Sequence, residues 1–195
     1  MKKIESSLKN MVIVLVGVAV VIGALLACVN HLTEGPIALK AQNTLAVGIK
    51  NVMKSNNLKV SDPIEKKAIV DGKEMVFIIH NCTDNAGKPL GVAVESTTNG
   101  FGGSLKVLVG FDPDGNILGY TILEHAETPG LGAKADKWFQ ADGKGSVIGK
   151  NPKDGVLHVS KDDKNGNAVD AITASTITSR AFLKAINQAY EVLKD

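Results

Sequence analysis

A charge-free apolar block near the N-terminus places the strongest constraint on how this chain can fold. The block extends from Met11 to Val29 and reads MVIVLVGVAVVIGALLACV. A helix needs about 20 consecutive apolar residues to cross a bilayer, and a core helix of a soluble protein rarely has this composition. We therefore predict that residues 11–29 form a transmembrane anchor embedded in the lipid bilayer.

The charges that flank the block predict its orientation. Lys2, Lys3 and Lys9 precede the block, whereas residues 30–33 contain no Lys or Arg. The positive-inside rule then makes residues 1–10 a cytoplasmic N-terminus. Everything after the block is expected on the other side of a bacterial inner membrane, as a periplasmic or extracytoplasmic domain.

Two other interpretations of the block stay open. A cleaved signal peptide has a shorter apolar core, of about 7–15 residues, so the length favours an uncleaved anchor. A lipoprotein signal is a second alternative, because Leu25-Leu26-Ala27-Cys28 approximates a lipobox in which Cys28 would be acylated. The anchor and the lipoprotein both leave the domain tethered on the same side of the membrane.

The rest of the chain predicts one α+β domain. It is long enough to bury a hydrophobic core without a second domain. A helical pattern begins at Pro36 and continues to about Lys54, and an amphipathic terminal helix begins at about Ser179. We predict a helical connection over 30–60 and an antiparallel-sheet domain over 61–195, with strands at 73–80, 91–95, 105–111, 117–123 and 155–160.

A hydroxyl-rich segment, DAITASTITS at residues 170–179, lies directly before the terminal helix. Ser and Thr are preferred helix N-caps, and capping alone explains such a segment. A threonine that acts as a nucleophile needs an exposed oxygen, small neighbours and help from a base or metal. The segment offers the first two features, so capping and chemistry both remain open from the residues alone.

Two other segments allow either a structural or a functional interpretation. Residues 124–132 read EHAETPGLG, in which Pro129 and Gly130 are typical of a turn. Residues 100–104 read GFGGS and lie between two predicted strands. Glycines there allow a ligand to approach the backbone, but they suit an ordinary hairpin connection equally well.

The hydroxyl-rich segment resembles the covalent-flavin motif of the FMN-binding domain family. That motif has an Asp followed by Ser/Thr-Gly-Ala-Thr and another hydroxyl residue, and a separate flavin transferase esterifies the FMN phosphate to its threonine. The matching position here is Thr176. Ala174 stands where the family usually has Gly, which matters if its φ is positive, and Ser175 stands where the family usually has Ala. Ser175 is therefore a second candidate acceptor.

Residues 125–132 resemble the His-x-Glu-Thr-Pro-Gly-Leu-Gly signature of the G subunit of the Rnf electron-transport complex, and the glycine-rich segment resembles the same protein. This resemblance covers nearly the whole chain. It implies an electron carrier, rather than a stand-alone catalyst, within an ion-translocating complex that moves electrons between ferredoxin and NAD. The FMN contacts it implies, together with a lysine suggested by its charge, are Glu127, Thr128, Leu131, Gly132, Thr173, Ala174, Ser175, Gly102, Ser104 and Lys161.

Two alternative functions remain beside this one. The C subunit of the sodium-pumping NADH:quinone reductase shares the anchor and the flavin motif, but its usual Gly-Leu-Trp-Ser is replaced here by GFGG at 100–103. A membrane-tethered binding module without flavin would use Thr176 only as a helix cap. The net charge of +2 gives no reason to expect nucleic acid as a partner. The four histidines are scattered without metal-ligand spacing, so no metal site is predicted.

Overall fold

The computed structural model describes residues 8–70 and 72–194. Most of the predicted cytoplasmic segment, including Lys2 and Lys3, therefore lies outside the described residues. The chain divides into two compact units, with the boundary between Asn43 and Thr44.

Helix α1 spans Leu8–Val52 and contains the apolar block. The large apolar side chains of the block are exposed, as expected for side chains that contact lipid. Among the described residues α1 is the one helix long and apolar enough to cross a membrane. Pro36 lies inside α1, so the prediction that a helix begins at Pro36 is wrong. Proline lacks a backbone N–H group and usually interrupts a helix, but α1 continues through Pro36 to Val52.

An antiparallel sheet forms the centre of the second unit. Within the described residues the six strands are β1 Lys59–Val60, β2 Ile64–Val70, β3 Lys73–Thr83, β4 Pro89–Asn99, β5 Ser104–Phe111 and β6 Ile117–His125. Their order in the sheet is β1-β3-β4-β5-β6, and β2 also pairs with β3. Four of the predicted strands correspond to β3, β4, β5 and β6, each with slightly different ends.

The chain after β6 forms short elements and then the terminal helix. Helix α3 begins at Thr176, three residues before the predicted Ser179. These elements complete an α+β domain, as predicted. The elements after β6 are a 3₁₀ turn at Gly132–Lys134, helix α2 at Ala135–Trp138, a 3₁₀ turn at Pro152–Asp154, the parallel pair β7 His158–Val159 and β8 Ala168–Val169, and α3 Thr176–Lys194.

The sheet has a hydrophobic core on each face. Helix α3 packs on one face of the sheet. There the Phe182 ring stacks on the Phe139 ring with centroids 4.3 Å apart, and it meets the Tyr120 ring edge-on with centroids 4.7 Å apart. On the other face Ile49 and Val52 of α1 belong to a second buried cluster. Since side chains alternate between the two faces of a strand, the sheet is buried on both sides.

The last turn of α1 lies directly on the backbone of the sheet. Gly110 and Gly119 are partners across β5 and β6. A Cβ atom at Gly119 would lie 2.9 Å from the Cα atom of Val52, closer than real side chains approach. Glycine at this position therefore allows the close contact between helix and sheet.

A buried charged group lies on the same face of the sheet as α1. The Glu95 carboxylate, 4% exposed, is 2.9 Å from His80 Nε2 and 2.6 Å from Lys106 Nζ. Burial raises the pKa of Glu95, but the hydrogen bonds from His80 and Lys106 outweigh it, so the pKa lies below its usual value. The carboxylate is therefore held in its charged form inside the domain.

Candidate functional site

Three separate segments of the second unit enclose a pocket of about 380 Å³. They are the glycine loop, which we define as residues 100–103, the loop that follows β6, and the chain from Ala174 through the first turn of α3. The volume falls in the usual range for a small-molecule site. The lining residues are Phe101, Glu127, Thr128, Leu131, Gly132, Ala174, Ser175, Thr176, Ile177 and Thr178.

The predicted site residues concentrate in this pocket. Seven of them line it, namely Glu127, Thr128, Leu131, Gly132, Ala174, Ser175 and Thr176. Gly102, Ser104, Thr173 and Lys161 do not line it. Three cavities of larger volume in the described residues, of about 580, 440 and 430 Å³, contain none of the predicted residues. We therefore place the candidate site in the smaller pocket, where residues distant in sequence converge.

The sequence predictions missed three lining residues. Phe101 lies between glycines that were assigned to the site, and Ile177 and Thr178 directly follow the predicted acceptor. Their positions beside the motifs were the available signal. Expecting α3 to begin only at Ser179 left Ile177 and Thr178 unassigned.

The Glu127 carboxylate joins two walls of the pocket. Its Oε1 atom accepts hydrogen bonds from the backbone N–H groups of Phe101 at 2.8 Å and Gly102 at 3.3 Å. Its Oε2 atom accepts a hydrogen bond from the Thr178 hydroxyl at 2.7 Å. Glu127 is only 6% exposed. Gly132 is necessary beside this group, because a Cβ there would collide with the Glu127 carboxylate.

The turn before α3 is held by the buried Ser179 hydroxyl and by a backbone bond from the Ser175 N–H to the Ile172 carbonyl at 3.0 Å. Ser179 accepts a hydrogen bond from the Ile172 N–H at 3.0 Å and donates one to the Ser175 carbonyl at 2.9 Å. Within this turn the φ of Ala174 is 63°, in the left-handed region. Ala174, which stands where the family usually has glycine, therefore has a backbone conformation that is strained for a residue with a Cβ.

The hydroxyls of the segment differ in their surroundings. Thr178 and Ser179 are buried and bonded to protein groups, as described above. Ser175 is 8% exposed, and its carbonyl accepts the N–H of Ser179 to begin the helix. Thr176 is half-buried at the edge of the pocket, which leaves its hydroxyl accessible. Of the two candidate acceptors, Thr176 has the more accessible side chain.

Lys161 lies beside the Thr176 hydroxyl. Its Nζ atom is 3.4 Å from Thr176 Oγ1, at the long end of hydrogen-bonding distance. Arg180 of α3 donates from Nε to Asp162 at 2.9 Å and so holds the loop that carries Lys161 against the helix. The same guanidinium lowers the pKa of Asp162. A positive charge and the N-terminus of a 19-residue helix thus meet at Thr176, an arrangement that favours an anion.

The motif's acidic residue is bonded within the protein. Asp170 accepts a hydrogen bond from the Ser160 hydroxyl at 2.7 Å through its side chain and one from Trp138 Nε1 at 2.8 Å through its carbonyl. Asp170 therefore fixes the start of the hydroxyl-rich segment.

Comparison with known proteins identifies the family. Residues 100–191 match the family model of the FMN-binding domain. The chain is 31% identical to the G subunit of the ion-translocating oxidoreductase complex of Vibrio vulnificus, over 86% of this chain and 80% of that protein. It is 32% identical to the G subunit of the proton-translocating ferredoxin:NAD(+) oxidoreductase complex of Clostridium ljungdahlii, over 87% and 82%.

A solved structure is also similar. The C subunit of the Na(+)-translocating NADH-quinone reductase from Parabacteroides distasonis is 21% identical, with a TM-score of 0.46 over 69% of this chain and 76% of that one. The relatives of higher identity and coverage carry the assignment, and they agree with the resemblance found in the motifs. This chain belongs to the G-subunit family of ion-translocating oxidoreductase complexes.

Proposed function

We propose that this chain carries FMN through a phosphoester to the Thr176 hydroxyl and passes electrons within a membrane-bound, ion-translocating complex of the Rnf type. FMN supplies one-electron and two-electron transfer when it is bound. The other subunits of the complex are its partners, and the electrons move between ferredoxin and NAD.

The observation that carries this proposal is the surroundings of Thr176. An accessible hydroxyl at the edge of a pocket, with an ammonium group 3.4 Å from its oxygen, suits a phosphate ester. The Lys161 charge and the N–H groups of the first turn of α3 would hold the phosphate oxygens. The pocket beside them has the size and the apolar lining that a flavin ring needs.

The other predicted residues take distinct roles in this proposal. Thr128, Leu131 and Gly132 line the ring side of the pocket, while Ala174 and Ser175 lie on the side of the ester. Glu127 supports the pocket from within, because its oxygens are bonded to protein groups. Gly102, Ser104 and Thr173 lie outside the lining and would contact the cofactor only at the margin of the site.

A separate flavin transferase would make the ester. The donor is FMN whose phosphate is activated as an anhydride. The Thr176 oxygen forms the new bond to phosphorus, the anhydride bond breaks, and the hydroxyl proton is released as the rest of the donor leaves. A covalent bond keeps the flavin in place on the extracytoplasmic side of the membrane, the side that the N-terminal lysines predict for this domain.

Fluorescence of the protein band after denaturing electrophoresis tests the proposal, because only a covalent flavin remains in the band. The full chain is produced together with a flavin transferase, and we expect T176A to lose the band's fluorescence. Thr176 is a partly exposed residue of the first helical turn, so the variant should change stability by only about 0.5 kcal/mol.

Two matched variants complete this test. T176S keeps a hydroxyl and should remain fluorescent, and S175A should also remain fluorescent. Flavin that persists in T176A but disappears in S175A would move the ester to Ser175. A chain without flavin in the presence of the transferase would support the tethered binding module instead.

A further inference from the structure

Three exposed apolar side chains surround the candidate pocket. Phe101 is 69% exposed, Ile177 is 53% exposed and Leu131 is 42% exposed, and all three line the pocket. They come from the glycine loop, the first turn of α3 and the loop after β6. Of these, Phe101 and Ile177 belong to none of the motif positions assigned to the cofactor above.

The exposure of Phe101 is built into its loop. Its own N–H donates to Glu127 Oε1 at 2.8 Å, and the loop closes through a bond from the Gly100 N–H to the Gly103 carbonyl at 2.8 Å. The backbone of Phe101 is thus fixed by a buried carboxylate while its ring remains in solvent. A fixed and exposed phenyl ring at the edge of a pocket suits an apolar ligand, since covering the ring is favourable.

The residue that follows Ile177 is bonded to the same buried carboxylate. Ile177 lies between Thr176, the proposed ester position, and Thr178, whose hydroxyl donates to Glu127 Oε2 at 2.7 Å. Because both oxygens of one carboxylate are used, Glu127 links the loop that carries Phe101 to the helical turn that carries Ile177. The two apolar side chains therefore border one pocket, and the segments that carry them are joined through the Glu127 carboxylate.

We propose that Phe101 and Ile177 pack against the flat isoalloxazine ring of the flavin attached at Thr176, with the phenyl ring of Phe101 on the face of the isoalloxazine. This inference rests on the proposed function and adds two contact residues to it. The flavin ring covers apolar surface that is otherwise exposed to water, while the phosphate remains at Lys161 and the helix N-terminus.

Tryptophan placed at the two positions tests the contact. Aromatic rings pack with their centroids about 4.5–7 Å apart. An indole ring packed on a flavin quenches the flavin's emission by electron transfer from the excited state, so F101W and I177W should lower the native flavin fluorescence several-fold. The measured quantity is the flavin emission of the folded full chain divided by its emission after denaturation, which corrects for the amount of flavin attached.

The matched control is I69W. Ile69 is 80% exposed on β2 and is not among the residues that line this pocket. The native-to-denatured ratio of I69W should equal that of the unchanged chain. F101Y provides a smaller change with the same quenching chemistry and serves as the test if F101W accepts less flavin.

The outcomes separate this inference from the proposed function. A ratio that falls in F101W and I177W but not in I69W supports the inference. Ratios in all three variants equal to that of the unchanged chain, with flavin present in the denatured band, overturn it and leave the ester at Thr176 standing. A band without flavin in every variant overturns the proposed function, and with it the contact.

Discussion

Replacing Ala174 by glycine is expected to stabilise the domain. Ala174 has a φ of 63°, and its side chain is exposed. A residue with a Cβ loses roughly 1–2 kcal/mol in the left-handed region, whereas glycine occupies this region freely. Because the methyl group is exposed, its removal loses little buried area.

The net effect is the difference between two opposing contributions. Relief of strain contributes roughly 1–2 kcal/mol, and the greater freedom of glycine in the unfolded chain removes roughly 0.5–1 kcal/mol of it. We expect A174G to gain about 0.5–1 kcal/mol. For a domain of this size a gain of about 1 kcal/mol raises the midpoint by about 2–4 °C, so the shift should be about 1–4 °C.

Thermal unfolding of the full chain in detergent, produced without a flavin transferase, measures this effect free of any contribution from a cofactor. The matched control is A171G in the same loop, since Ala171 is partly buried and its φ is not positive. A171G should lower the midpoint. A midpoint of A174G equal to or below that of the unchanged chain would refute the assignment of strain to Ala174.

Two further substitutions test the sheet. E95Q should lower the free energy of unfolding by roughly 1–3 kcal/mol at about pH 7, because an amide cannot accept both hydrogen bonds of the buried carboxylate. The folded-state pKa of Glu95 is lowered, so the stability that its charge contributes is present above about pH 4.3 and is lost as the pH falls further. Denaturant unfolding should therefore show the free energies of unfolding of E95Q and the unchanged chain converging in acid. A difference in free energy that stays constant with pH would contradict this. G119A should cost roughly 1–3 kcal/mol because its Cβ would meet the backbone of Val52. G35A, whose Cβ would meet nothing within 4 Å, is the control, and an equal loss of stability in both variants would argue against the contact.

The sequence predicted the central strands better than the edge of the sheet. Strands β3 to β6 contain apolar residues that the two cores bury, and this pattern is visible in the sequence. Strand β2, with the sequence IEKKAIV, pairs with β3 among the described residues and is largely exposed, so its composition does not distinguish it from a polar loop. The start of α3 was predicted at Ser179 rather than at Thr176 for a related reason, since threonines suit a helix cap and a first helical turn equally well.

The candidate pocket was predicted in its residues but not in its internal bonds. The motifs indicated Glu127 and Thr176, yet the sequence does not show that the Glu127 carboxylate is bonded to Thr178, 51 positions away. The hydroxyls of the segment are chemically alike in the sequence. Only contacts from distant parts of the chain, such as Lys161 at Thr176, make them different.

The bonds of Glu127 have a consequence for the biogenesis of the protein. The glycine loop and the first turn of α3 are far apart in the sequence and are joined through the Glu127 carboxylate, so an unfolded chain presents Thr176 without the surfaces around it. A maturation enzyme that recognises those surfaces would act after folding and would pass over misfolded copies. The presence of the flavin would then distinguish folded molecules, which can enter the complex, from misfolded ones.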